Sequence, residues 1–137
     1  MPITTAICNS YKKEILEGVH ASTDTYKIAL YTDAATLSAA TTTYSATNEV
    51  TGTAYVAGGA TLSGYVSGLS SNTAYITFND PSWANSTITA RGCLIYNSSK
   101  SNKAVAAFDF GANVVSVSGT FTIDLPAAGA SALIRIS

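Results

Sequence analysis

From Thr25 onward the apolar residues recur with a period of two, a spacing that lines one face of a strand and gives a helix no continuous face to bury. Tyr26, Ile28 and Leu30 fall on one side, with Thr25, Lys27, Ala29 and Tyr31 on the other, so 25–31 is the first predicted strand. A loop of small residues follows over 33–43. Residues 44–52 then lead into Ala54-Tyr55-Val56, and Gly58-Gly59 separates that run from 61–66, which predicts a hairpin of two short strands. Residues 74–78 alternate again and stop at Asn79-Asp80-Pro81, residue types that favour turns.

The longest candidate strand spans 87–96, and Gly92 inside it predicts a bulge or a close backbone contact. The polar stretch 97–102 turns the chain into 104–110, so these two strands are expected to form the central hairpin of the sheet. After Gly111, Val115 and Val117 lead to Gly119. Phe121, Ile123 and Leu125 then alternate with Thr120, Thr122 and Asp124 until Pro126, and 132–136 is the last strand. That makes about eight strands, with no helical pattern recurring between them to build a parallel α/β sheet. The expected class is all-β, an antiparallel β-sandwich or jelly roll with one short N-terminal helix.

The segment before Thr25 obeys another period. Ile7, Tyr11, Ile15, Leu16 and Val19 recur at helical spacing, Thr4 or Thr5 can cap the start, and Gly18 supplies a stop. Lys12, Lys13, Glu14 and Glu17 mostly fall on the other faces. The chain therefore reads as one domain over 1–137, with a helical arm at 1–20 and a β-sandwich at 25–137. The arm either closes one end of the β core or docks on a neighbouring subunit.

Only 11% of the residues are charged, where a soluble domain carries about a quarter, and 19 Thr and 17 Ser take their place. The seven Lys and Arg are scattered over 12, 13, 27, 91, 100, 103 and 135, and the net charge is -1. Nucleic acid and anionic membranes are not expected partners, because both call for clustered positive charge. No apolar run is long enough to cross a bilayer, and Met1-Pro2-Ile3-Thr4-Thr5 does not resemble a secretory leader. The chain is expected to be made in a cytosol and to stay or assemble there.

Residues that could carry chemistry are few. His20, the only histidine, sits just past the helix stop and reads as exposed or as a cation favourable to the helix dipole. Serine is too abundant to mark a nucleophile, no G-x-S-x-G elbow occurs, and the eight acids lie on separate elements or in turns. Gly58-Gly59 has neither a helix behind it nor the Lys of a phosphate loop. Asn79-Asp80, and Asp24 with Asp33, lack the alternating acids of a calcium loop. Cys8 and Cys93 show no metal spacing and read as buried free thiols, with a Cys8 to Cys93 bridge as the alternative. Asn85-Ser86-Thr87 and Asn97-Ser98-Ser99 match the glycosylation pattern and are expected to be turns. The expectation is a chain that is not an enzyme and has no catalytic, cofactor or metal site.

Tyrosine is the residue type with more to say. Tyr and Trp are favoured at interfaces because they bury rigid area and keep a polar tip, and the same rings stack on sugars. Of eight Tyr and one Trp, Tyr44, Tyr55, Tyr65 and Trp83 are the candidates for exposed anchors, with Trp83 placed in the loop after Pro81. Tyr11, on the helix, is the fifth candidate interaction residue.

The order of segments is itself informative. Cys8-Asn9-Ser10-Tyr11-Lys12-Lys13-Glu14-Ile15-Leu16, Tyr26-Lys27-Ile28-Ala29-Leu30-Tyr31, Thr47-Asn48-Glu49-Val50 with Gly58-Gly59, Ile88-Thr89-Ala90-Arg91-Gly92 before Leu94-Ile95-Tyr96-Asn97, and Phe108-Asp109-Phe110-Gly111 follow one another. In that order they resemble a family of small virion proteins encoded among the structural genes of tailed bacteriophages. The resemblance implies a structural component of the particle, with the virion as its location. A capsid decoration or cement protein, oligomeric and bound to the major capsid protein, is the leading expectation. A tail, neck or fibre component is the second, and a glycan-binding host-attachment module the third. The last 132–136 strand, being terminal, is a candidate open edge for pairing with a neighbour.

Overall fold

In the computed structural model, which describes residues 3–136, the chain forms two antiparallel sheets and one helix. Its strands are β1 (Ala6–Ile7), β2 (Tyr26–Tyr31), β3 (Ala60–Thr61), β4 (Val66–Ser70), β5 (Thr73–Thr77), β6 (Ser82–Asn97), β7 (Lys103–Thr122) and β8 (Ile134–Ile136), and the helix α1 is Asn9–Leu16. The larger sheet has the order β1-β7-β6-β2-β3 and the smaller one β4-β5-β8. The all-β, sandwich-like class read from the period of two is the observed one. Met1, Pro2 and Ser137, the first two of which belong to the predicted arm and leader argument, lie outside the described residues.

The core sits on β2 and the adjoining half of the β6–β7 hairpin. Ile28, Leu30, Tyr31, Leu94 and Ile95 are fully buried, and the small side chains of Ala104, Ala106 and Ala107 pack level with them. Burying one such Leu or Ile contributes roughly 1.5–3 kcal/mol. The connection from β2 to β3 adds Ala35, Leu37, Val50 and Tyr55 to the same core, which is why β2 is buried on both faces. The turn residue Asp80 holds the end of the next segment, its Oδ1 accepting from the Leu125 N–H at 2.8 Å.

The N-terminal segment differs from the predicted arm. Ala6 and Ile7 are a strand that pairs with Ala107 and Ala106, and the helix begins only after Cys8. Neither Thr4 nor Thr5 caps it: Thr4 N–H donates to Leu37 O at 2.8 Å, and Thr5 Oγ1 accepts from Asp109 N–H at 2.9 Å. Ile3, Cys8 and Tyr11 belong to the core, so this segment packs against the body of the domain and closes one side of it. Leu16 fits the helical spacing but is 89% exposed, while Ile15 beside it packs against the core.

Two further differences have backbone causes. Ala54-Tyr55-Val56 is not a strand, and Gly58-Gly59 turns no hairpin. Gly59 instead presses its backbone onto β2 with φ 81°, where a Cβ would run into the Ile28 carbonyl oxygen, and this seats β3 against Lys27 and Ile28. Further on, Gly111 does not end a strand: β7 continues through it to Thr122. The register passes from Gly92↔Asp109 to Ala90↔Val114, so residues 110–113 oppose Arg91 alone. The bulge expected at Gly92 lies here, where a Cβ would meet the Phe108 carbonyl oxygen. Asn85 lies inside β6, at a register shift and not in a turn, whereas Asn97 ends β6 and caps the short 3-10 turn Ser98–Lys100 that follows it.

Candidate interaction surface

The interior polar groups come first, because they decide which residues are free to meet a partner. Glu49 gathers the β2–β3 connection: Tyr44 Oη donates to its Oε1 at 2.6 Å, Tyr55 Oη donates to Oε2, and Gly58 N–H donates to Oε2 at 2.7 Å. Tyr55 Oη also accepts from Leu30 N–H at 2.9 Å, tying the connection to the centre of β2. Tyr96 Oη donates to Gly58 O at 2.6 Å, and its ring stacks on Tyr44 with centroids 4.7 Å apart. Burial first, and hydrogen bonding to Glu49 second, push the Tyr44 and Tyr55 hydroxyls well above the usual tyrosine range. These hydroxyls stay protonated and act as clamps.

A second network closes the space between α1, β2 and the end of β6. The His20 side chain is only 2% exposed; its Nε2–H donates to Glu14 Oε1 at 2.9 Å, and its Nδ1 accepts from the Asn97 amide at 2.9 Å. The same amide donates to Asp24 Oδ2 at 2.8 Å, which Lys100 also reaches at 2.7 Å. The Lys100 hydrogen bond, helped by Ala21 N–H and Asn97, lowers the Asp24 carboxyl to about 2. His20 is therefore not the exposed dipole partner predicted for it. It is a buried link, because Tyr11 packs its ring 4.7 Å away and Glu14 and Asn97 satisfy both nitrogens.

The two cysteines are free and buried, without a bridge between them. Burial, with Glu14 adding to it, raises the Cys8 thiol to about 11, and burial alone raises Cys93 further. Both stay as thiols, which nucleophilic chemistry cannot use.

The five candidate interaction residues do not converge on one exposed surface. Trp83 is 7% and Tyr55 9% exposed, their rings 6.1 Å apart inside the core. Trp83 pairs with Phe121 across the β6–β7 hairpin, so the strand begins directly after Pro81 and leaves no loop for it. Tyr11 is 2% exposed. Tyr44 and Tyr65 are half-buried, Tyr44 on Tyr96 and Tyr65 stacked on Tyr26 at 5.7 Å and edge-on to Phe78. As exposed anchors Tyr55 and Trp83 are corrected, because each packs its ring inside the core, and Tyr11 on the helix is likewise buried, against His20.

Several large aliphatic side chains face outward among the hydroxyls. Leu69 is 76%, Val117 74%, Val115 58% and Ile136 55% exposed. Val115 and Val117 share one face of the far half of β7, in line with Thr89 and beside Thr87 of β6. Leu69 and Ile136 flank Ala74 in one row across the small sheet. Between that sheet and α1 runs an apolar groove of about 280 Å³, walled by Tyr11, Ile15, Leu16, Ile134 and Ile136. A second cleft of about 310 Å³ lies beside β7, lined by Phe108, Phe110, Phe121, Leu125 and Leu133. One sequence signal marks the small sheet: no charged residue occurs between Glu49 and Asp80. Exposed aliphatic rows and apolar grooves are the kind of surface that makes contacts with other apolar surfaces. No family model matches the chain, and no curated protein or solved structure matches it either.

Proposed function

We propose that this protein is a structural component of a tailed-bacteriophage virion, a decoration or cement protein that sits on the outer face of the major capsid lattice and bridges neighbouring subunits. The observation that carries the reading is the surface: aliphatic side chains exposed on strands, among hydroxyls, with little charge. Such contacts are individually small, and they become strong when a symmetric lattice repeats them. The order of segments that resembles small virion proteins supports the same placement. The glycan-binding alternative loses its anchors, since Trp83 and Tyr55 are packed inside.

The test is the copy number of the chain in purified particles, measured by quantitative mass spectrometry against the major capsid protein. A fixed stoichiometric ratio to the capsid subunit is the expected result, together with particles that lose heat or osmotic resistance when the protein is removed. A copy number fit for a single ring or fibre would move the protein to the tail or neck. Absence from the particle would overturn the virion reading.

A further inference from the structure

Strand edges are where a β protein can join a neighbour, because their backbone N–H and C=O groups lack a partner on one side. Among the described residues the two sheets end at β1, β3, β4 and β8. β1 and β3 have two residues each, too few to hold a partner strand. β8 has three and carries the exposed Arg135 at its middle. β4 differs from all of them. Its five residues, Val66 to Ser70, pair with β5 without a register shift, hold no proline and no charge, and expose Leu69. Lysine, proline and bulges are the devices that natural edges use against unwanted pairing, and β4 has none of them.

We infer that β4 pairs antiparallel with β4 of a second copy of this chain across a two-fold axis, joining two small sheets into one of six strands. The second copy is the fitting occupant because a two-fold contact sets each residue near its own image, so that any charge on the edge faces a like charge. The chain from 50 to 79 contains no such charge, so the edge meets itself without repulsion. The register taken for this pairing sets Leu69 opposite its own image in the second copy. It extends the Leu69, Ala74 and Ile136 row across both sheets and removes the most exposed strand leucine from water. The pairing is a property of the isolated chain and holds whether or not the virion reading does.

The full chain is tested in solution by sedimentation equilibrium and by oxidative cross-linking. The wild-type protein is expected to sediment at twice the chain mass, and the Leu69→Lys variant at the chain mass with an unchanged circular dichroism spectrum. Cys8 and Cys93 are buried, so a Leu69→Cys variant carries one accessible thiol and is expected to form a disulfide-linked dimer under mild oxidant. A Val117→Cys variant at the same concentration is expected to stay monomeric on a non-reducing gel. A wild-type protein that remains at the chain mass at its highest soluble concentration overturns the inference. So does a dimer that survives Leu69→Lys, and so does equal cross-linking of the two cysteine variants. Should Leu69→Lys lose its fold, the cross-linking comparison decides alone.

Discussion

The near half of the large sheet hides its aliphatic residues on both faces of β2 and along β6, whereas the small sheet leaves Val66, Leu69 and Ile136 in water, as the far half of β7 does Val115 and Val117. The large sheet is also fastened by polar groups that have no counterpart on β4. Ser86 Oγ donates or accepts at 2.9 Å with Ser116 Oγ and lies 2.9 Å from Trp83 O and 3.0 Å from Gly119 O, all inside the far half of the hairpin. Ser116 Oγ in turn accepts from Ile88 N–H at 3.2 Å. The contrast separates two tasks. Stability is concentrated where both faces are buried, and the capacity to meet another surface is left where one edge and one row of side chains have no cover.

Four changes break or sharpen that contrast. Leu94→Ala, at the fully buried centre of β6, is expected to lower the unfolding free energy by about 2–5 kcal/mol, read from the urea midpoint. Ser86→Ala removes the one buried hydroxyl proton that lies within reach of both the Trp83 and Gly119 carbonyls, and is expected to cost about 1–3 kcal/mol by the same measurement. The third change is one of pH. The Asp24 carboxyl is held down to about 2 from an ordinary value of 3.8, so the folded state favours its charged form. The stability it adds is complete above 3.8 and is lost as the pH falls through 2. Asp24→Asn is therefore expected to flatten the acid limb of the urea midpoint between those two values. The smallest effect belongs to the small sheet: Leu69→Ala, at 76% exposure, is expected to change the stability of the monomer by less than about 0.5 kcal/mol. A drop comparable to that of Leu94→Ala would mean that the small sheet carries the fold as well.

Much of this architecture is written in periodicity. The alternation at 26–31 and the polar turn after Asn97 locate β2 and the central hairpin, because both are local patterns with one physical solution. Gly92 marks its bulge for the same reason. The misreadings occur where one local pattern has two solutions. Ile7 fits the helix spacing, yet directly before the Cys8 cap it pairs as a strand on β7. Gly58-Gly59 has the composition of a turn, but its conformational freedom serves a backbone approach to β2. The interaction residues were hardest to read, since a ring's exposure depends on partners remote in the chain. Trp83 pairs with Phe121, and His20 finds Asn97 across 77 residues. No window along the sequence contains either pair. The uncharged run before Asp80 was the one local sign of an open surface.

The pairing of β1 with β7 sets the timetable of folding. Ala6 and Ile7 have Ala107 and Ala106 as their only strand partners, and Cys8 N–H donates to Val105 O. β1 must therefore wait until the hairpin has been made, and β5, although β4 precedes it, gains its second neighbour only with Ile134 to Ile136. Contacts between such distant parts of a chain form late and slowly. During synthesis the nascent chain carries an unpaired β1, with its aliphatic residues in need of cover, until Ala106 and Ala107 have been made.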